Sequence, residues 1–293
     1  MLKGSIVALV TPFNKEGQIN EEKLKSLIDW HIENGTDGIL ICGTTGESAT
    51  LTHPEHRKLM EITVAHIDKR IAFIAGCGSN STKEALELVR HAKKVGANFA
   101  LVITPYYNKP TQEGLYQHFK KIADEVDIPI IIYNVPSRTG SNILPDTVAR
   151  LYADCKNIVG IKEASGNLDQ ITQLMTKVDS SFLLFSGSDE VTLPILSVGG
   201  VGVVSVVANI LPRQTHDLVA AFLEGNLEEA KKLQLYLYDA IKALFIETNP
   251  IPAKTSLGLM GLVEANLRLP LYKMSDENLS KLKSILKRYK LIK

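Results

Sequence analysis

Eight short apolar runs, rich in β-branched residues, recur along the chain at 5–10, 38–42, 71–75, 99–104, 129–135, 158–162, 182–186 and 201–207. Nearly all are continuously apolar, as a strand is when both faces of its sheet are covered. Between them lie stretches with helical spacing: 21–33 (Leu24, Leu27, Ile28, Trp30, His31), 54–67, 83–95 and 113–126. Caps precede several of these, with Asn20 ahead of Glu21-Glu22 and Ser81-Thr82 ahead of Lys83-Glu84. Strict strand–helix alternation implies parallel strands joined by right-handed crossovers. Eight such units in about 225 residues predict an α/β chain folded as a closed (β/α)8 TIM barrel. The open, doubly wound alternative lacks its usual glycine fingerprint, because Gly76-Cys77-Gly78-Ser79-Asn80-Ser81 misses the third Gly. After about Gly225 the strands stop, and 227–245, 253–263 and 275–291 read as helices, the last capped near Ser275. The expected organisation is a barrel catalytic domain over 1–224 and a C-terminal helical appendage over 225–293.

Charge and cysteine usage narrow the function classes. Lys and Arg number 33 against 32 Asp and Glu, a net charge of +1, so no nucleic-acid partner is expected. The basic end, 281–293, shares its helix with an apolar stripe (Leu279, Leu282, Ile285, Leu286, Tyr289), which makes its lysines a solvated face. The uncharged segment 191–212 is long enough to cross a bilayer. Pro194, Gly199, Gly200, Gly202, Asn209 and Pro212 break it, so a short helix and a buried strand over 201–208 are expected, and no membrane partner. Three widely spaced cysteines, Cys42, Cys77 and Cys155, fit neither a disulfide framework nor a thiolate metal site. With no signal-peptide pattern at the start, the expected home is the cytoplasm.

In a (β/α)8 barrel the chemistry sits where strands end and βα loops begin. Lys162 closes the sixth run. Desolvation of an ammonium favours the neutral amine, which is the nucleophile of Schiff-base chemistry on carbonyl substrates. The bland alternative is a lysine paired with Glu163 or reaching from the strand end to solvent. Tyr133 ends the fifth run, next to Lys162, where a phenol can shuttle protons, or simply fill the core. Gly43-Thr44-Thr45-Gly46-Glu47 follows the second run, and its backbone N–H groups and hydroxyls suit a carboxylate or phosphate. No Lys follows in P-loop spacing, which disfavours a nucleotide; the alternative is a plain tight turn. Tyr106-Tyr107-Asn108 follows the fourth run and Pro136-Ser137-Arg138-Thr139-Gly140 the fifth. Arg138 can clamp a carboxylate or be an ordinary surface residue.

Four segments together are more specific than any one. Gly38-Ile-Leu-Ile-Cys-Gly-Thr-Thr-Gly-Glu47, Thr104-Pro-Tyr-Tyr-Asn108, Tyr133-Asn-Val-Pro-Ser-Arg-Thr-Gly140 and Gly160-Ile-Lys-Glu-Ala-Ser165 resemble the dihydrodipicolinate synthase family. The likeness covers essentially the whole chain, including Phe245-Ile-Glu-Thr-Asn-Pro-Ile-Pro252. It implies condensation of pyruvate with L-aspartate 4-semialdehyde, with Lys162 forming the imine and no cofactor or metal. Thr44 and Thr45 match the residues that hold the pyruvate carboxylate. Thr45, Tyr133 and Tyr107 match a proton relay, with Tyr107 reaching in from a neighbouring subunit. Arg138 matches the residue that binds the semialdehyde carboxylate, and Gly187 and Val204 match positions lining the pyruvate pocket. Ser48, Ala49, His53, His56, Asn80, Glu84 and Tyr106 match the set that binds L-lysine as feedback inhibitor. A homotetramer built from dimers is implied as well. Sialic-acid lyases and keto-deoxy sugar-acid aldolases are the nearest rivals, and the Pro-Ser-Arg-Thr-Gly stretch disfavours them. A catalytically silent relative that senses pyruvate or an amino acid is the alternative of another class.

Overall fold

The computed structural model describes residues 2–293. Its strands are β1 (Gly4–Ala8), β2 (Gly38–Ile41), β3 (Ala72–Gly76), β4 (Phe99–Ile103), β5 (Ile130–Asn134), β6 (Ile158–Glu163), β7 (Leu183–Ser186) and β8 (Gly202–Ser205). They close into one barrel in chain order. The helices are α1 (Glu21–Glu33), α2 (His53–Ile67), α3 (Thr82–Val95), α4 (Gln112–Glu125), α5 (Pro136–Thr139) and α6 (Pro145–Asp154). They continue with α7 (Leu168–Met175), α8 (Thr192–Ser197), α9 (Pro212–Leu223), α10 (Leu227–Leu244), α11 (Ile251–Leu259) and α12 (Asp276–Arg288). The four barrel helices expected from spacing lie within a residue of their expected ends. Asn20 caps α1 by accepting from the Lys23 N–H at 3.1 Å. Thr52 and Glu55 form a reciprocal capping box on α2.

Internal contacts group the chain into two compact units, one built on Ala72–Val204 and the other on Gly4–Ile71 with Ser205–Lys293. In the first, β4, β5, β6 and β7 pair in parallel, with Ile103 opposite Tyr133 and Lys162 opposite Phe185. Ile130, Ile132, Ile161 and Phe185 are fully buried there, as the continuous apolar runs require. In the second, β1 pairs with β2, α9 covers β1, and α10 packs on α9 and α12.

Two strands end two residues earlier than the apolar runs suggested, and for a shared reason. β1 stops at Ala8 and β8 at Ser205, with a 3-10 turn over Val207–Asn209. The Asn209 amide donates to the Ala8 carbonyl at 2.9 Å, and the Val10 N–H donates to Asn209 Oδ1 at 3.2 Å. The Ala208 N–H donates to Ser205 Oγ at 2.8 Å. Side chains thus take over backbone groups that a ladder would otherwise use. The segment 191–212 divides into α8, β8 and turns, and no helix among the described residues is long and apolar enough to cross a membrane. α11 starts two residues before the expected point, with Pro252 in its first turn, where the missing N–H costs nothing. In α12, Leu282 and Leu286 are buried while Lys281, Lys283, Lys287 and Arg288 are exposed. The three cysteines are buried and joined by no disulfide, and burial pushes the Cys77 and Cys155 thiols up.

Candidate active site

Within the unit built on Ala72–Val204, the register of β5 and β6 sets Tyr133 opposite Lys162 and Asn134 opposite Glu163. Register neighbours point to the same face of a sheet, and successive residues to opposite faces. Lys162 and Tyr133 therefore share one face, and Nζ lies 4.1 Å from the centroid of the phenol ring. Both side chains are buried. Among the described residues no carboxylate pairs with Lys162 and no hydrogen bond ties the Tyr133 hydroxyl. Pairing of Lys162 with Glu163 is excluded by the alternation. The Glu163 carboxylate accepts instead from Asn134 Nδ2 at 3.0 Å and from the Ser165 N–H at 2.6 Å. Burial raises the Glu163 carboxyl above the usual range, while these hydrogen bonds pull it down.

Gly187, just past β7, leaves room for the lysine stem. Its N–H donates to the Glu163 carbonyl at 2.7 Å. A Cβ there would stand 3.1 Å from Lys162 Cγ and 2.7 Å from the Ala164 Cβ. Val204 is buried in β8. Arg138 is exposed on α5, a single turn ended by Gly140 in the left-handed region. Tyr107 is also left-handed, at φ 71°, and its side chain is 89 % exposed. Its N–H donates to the Thr139 carbonyl at 3.4 Å, which ties it to the turn that carries Arg138. Asn108 joins the same loop to the start of α3, donating from Nδ2 to the Asn80 carbonyl at 2.9 Å. The loop that carries Tyr106 is thereby tied to Asn80, which precedes α3, and the Ser79 hydroxyl donates to the carboxylate of Glu84 in the first turn of α3.

In the unit that holds β1 and β2, the loop 43–47 folds back on itself. The Gly46 and Glu47 N–H groups donate to the Gly43 and Thr44 carbonyls, each at 3.1 Å. Thr45 is buried and Thr44 half-buried. Asn249 Nδ2 donates to Thr45 Oγ1 at 2.9 Å, which leaves the Thr45 hydroxyl hydrogen to be donated elsewhere. A hydroxyl that accepts on one side and donates on the other is suited to relaying protons. Glu47 bonds through one carboxylate oxygen to Lys254 and through the other to the Arg268 N–H at 3.1 Å. Burial lowers Lys254 to about 8 against the opposing pull of Glu47. Arg268 grips Glu55, the Gly17 carbonyl and the Thr50 carbonyl, and its hydrogen bond holds the Glu55 carboxyl down to about 2. Ser48 and Ala49 lie on the next 3-10 turn, His53 is exposed at the start of α2, and His56 is buried one turn on.

Sequence reasoning gave no role to Asn249, Lys254 or Arg268, or to the Glu47 carboxylate. The stretch 245–252 was noticed only as part of a resemblance, because partners more than 200 residues apart leave no local signal.

A sequence model of the dihydrodipicolinate synthetase family matches residues 1–289. A 4-hydroxy-tetrahydrodipicolinate synthase of Sulfurihydrogenibium sp. (strain YO3AOP1) is 54 % identical, over all of both chains. That of Aquifex aeolicus (strain VF5) is 53 % identical over 99 % of each. The crystal structure of dihydrodipicolinate synthase from Aquifex aeolicus superposes with a TM-score of 0.97, at 52 % identity and 99 % coverage of both chains. One from Cyanidioschyzon merolae with lysine bound gives 0.96 at 40 % identity, again covering 99 % of each.

Proposed function

Since the chain belongs to the dihydrodipicolinate synthetase family, we propose that it condenses pyruvate with L-aspartate 4-semialdehyde to give 4-hydroxy-tetrahydrodipicolinate, toward diaminopimelate and lysine. The observation that carries this reading is Lys162: a buried amine near the end of β6, paired with no carboxylate among the described residues and set over the ring of Tyr133. Such an amine attacks the pyruvate ketone carbon, and loss of water gives an imine. A methyl proton then leaves and the enamine forms. Its carbon adds to the aldehyde, the aldehyde oxygen takes up a proton, and the semialdehyde's amino group closes the ring onto the imine carbon, releasing Lys162.

Thr44 and Thr45 hold the pyruvate carboxylate in this reading, Gly187 and Val204 line its pocket, and Arg138 binds the carboxylate of the second substrate. Thr45, Tyr133 and Tyr107 pass protons, with Tyr107 entering from a second copy of the chain. The 89 % exposure of Tyr107 within its own chain supports that arrangement. In this reading the chain assembles as a homotetramer built from dimers and acts in the cytoplasm. L-Lysine as feedback inhibitor, held by Ser48, Ala49, His53, His56, Asn80, Glu84 and Tyr106, is supported by the lysine-bound relative; lysine titrated into the assay tests it.

Incubation with pyruvate and borohydride is expected to add one pyruvate-derived group at Lys162 and to inactivate the chain, while Lys162→Ala abolishes both. Lys162→Arg is expected to be equally inert, because a guanidinium stays protonated. Stoichiometric labelling at another residue, or turnover of sialic acid in place of the semialdehyde, overturns the assignment.

A further inference from the structure

The loop 43–47 is held from outside itself. Glu47 occupies the left-handed region at φ 54°, a conformation that L side chains rarely adopt. Its carboxylate is wholly buried and bonded at both oxygens, to Lys254 Nζ and to the Arg268 N–H. Lys254 is also wholly buried, with Nζ 4.1 Å from the Phe13 ring centroid. Asn249, just ahead of α11, donates to Thr45. One short stretch of chain, 249–254, therefore grips the loop at Thr45 and again at Glu47. A buried ion pair gains little stability over an apolar pair of similar volume, because desolvation offsets the attraction. What such a pair does is tie its two segments together, since leaving either charge buried without the other is strongly destabilising.

We propose that Glu47 and Lys254 are positioning residues for the reaction, their buried pair setting the loop 43–47 so that the Thr45 hydroxyl is aimed at the carboxylate of the keto-acid substrate. This rests on the pyruvate reading above. It concerns one substrate only, because Arg138, assigned to the other, lies on α5 and not on this loop.

The double variant Glu47→Gln/Lys254→Met removes both charges at nearly constant volume and leaves no lone buried ion. Three quantities are measured in it: the melting midpoint, kcat and KM for each substrate, and borohydride labelling of Lys162. The expected result is a fall of tenfold or more in pyruvate kcat/KM, mostly through KM. The semialdehyde KM stays within twofold, and labelling survives at saturating pyruvate. Pyruvate kcat/KM within twofold of wild type in the folded variant overturns the proposal. Should the double variant not fold, Glu47→Asp keeps the charge and shortens its reach; it is expected to raise pyruvate KM alone. Parallel losses toward both substrates in that variant mark a merely structural pair and overturn the proposal. A wild-type chain that pyruvate and borohydride fail to label overturns the imine reading and this proposal with it. A labelled wild type with unaffected variants overturns this proposal alone.

Discussion

Adding one methyl group at Gly187 is expected to disable the nucleophile while leaving its amine chemically unchanged. The new Cβ would lie 2.7 Å from the Ala164 Cβ and 3.1 Å from both Lys162 Cγ and the Glu163 carbonyl oxygen. Carbon atoms settle at about 3.5–4.0 Å, so the contact with Ala164 falls about 1 Å short. Ala164 has no side-chain torsion with which to move aside. The Gly187 N–H is itself bonded to the Glu163 carbonyl at 2.7 Å, so the end of β7 cannot easily retreat. The displacement therefore falls on the backbone 163–164 or on the Lys162 stem, and either way Nζ moves. Overpacking of this kind costs about 1–3 kcal/mol in stability. A misplacement of about 1 Å at a reacting atom costs on the order of 10²-fold in rate. The assay is the single-turnover rate of pyruvate labelling by Gly187→Ala, with the melting midpoint alongside. The rate is expected to fall by tens- to a hundredfold. Adding Ala164→Gly to the same chain removes the 2.7 Å contact and should return much of it. A Gly187→Ala rate within twofold of wild type, or no recovery in the double variant, refutes the packing argument.

Arg138→Ala is expected to keep pyruvate labelling nearly intact while condensation falls tenfold or more; equal losses in both would show a damaged fold rather than a lost substrate contact. Mixing Tyr107→Phe with Lys162→Ala chains is expected to restore part of the activity that each lacks, since a mixed dimer assembles one complete site; no recovery despite proven subunit exchange counts against the shared site. His31, wholly buried, and His118 are held neutral by burial, at about 3 and about 4 against 6.5. Between those values the unfolded chain binds protons that the folded chain refuses, so stability falls as pH drops below about 6.5, by ~2 kcal/mol per histidine at pH 5. Urea midpoints at pH 7 and pH 5 measure this, and His31→Asn should flatten the dependence; a wild-type midpoint that does not move with pH would sink it.

The barrel was legible because its signal is local and repeated. Eight apolar runs fall between helices whose caps, Asn20 and Ser81, are adjacent in sequence to what they cap. The strand ends were not legible, because Val10 and Val207 are as apolar as the strands themselves. What ends those strands is Asn209, which bonds to residues 199 and 201 positions away. The same distance hid the supports of the Thr45 loop, whose partners Asn249 and Lys254 lie 204 and 207 residues on. Glu163 was readable from its neighbour alone: period-two alternation already forbids it to share a face with Lys162.

The clasp of Asn209 on β1 also sets an order of events during synthesis. Residues 72–204 make up most of one compact unit and are contiguous in the chain, so their contacts with one another can form as they leave the ribosome. Residues 4–71 cannot complete theirs, since the rest of their unit begins at Ser205. At about 5–20 residues per second, the apolar first strand waits on the order of ten seconds or more for its clasp. Weakening that clasp, as Asn209→Ala would, should therefore show first as lost yield in cells, with less effect on protein refolded from the complete chain.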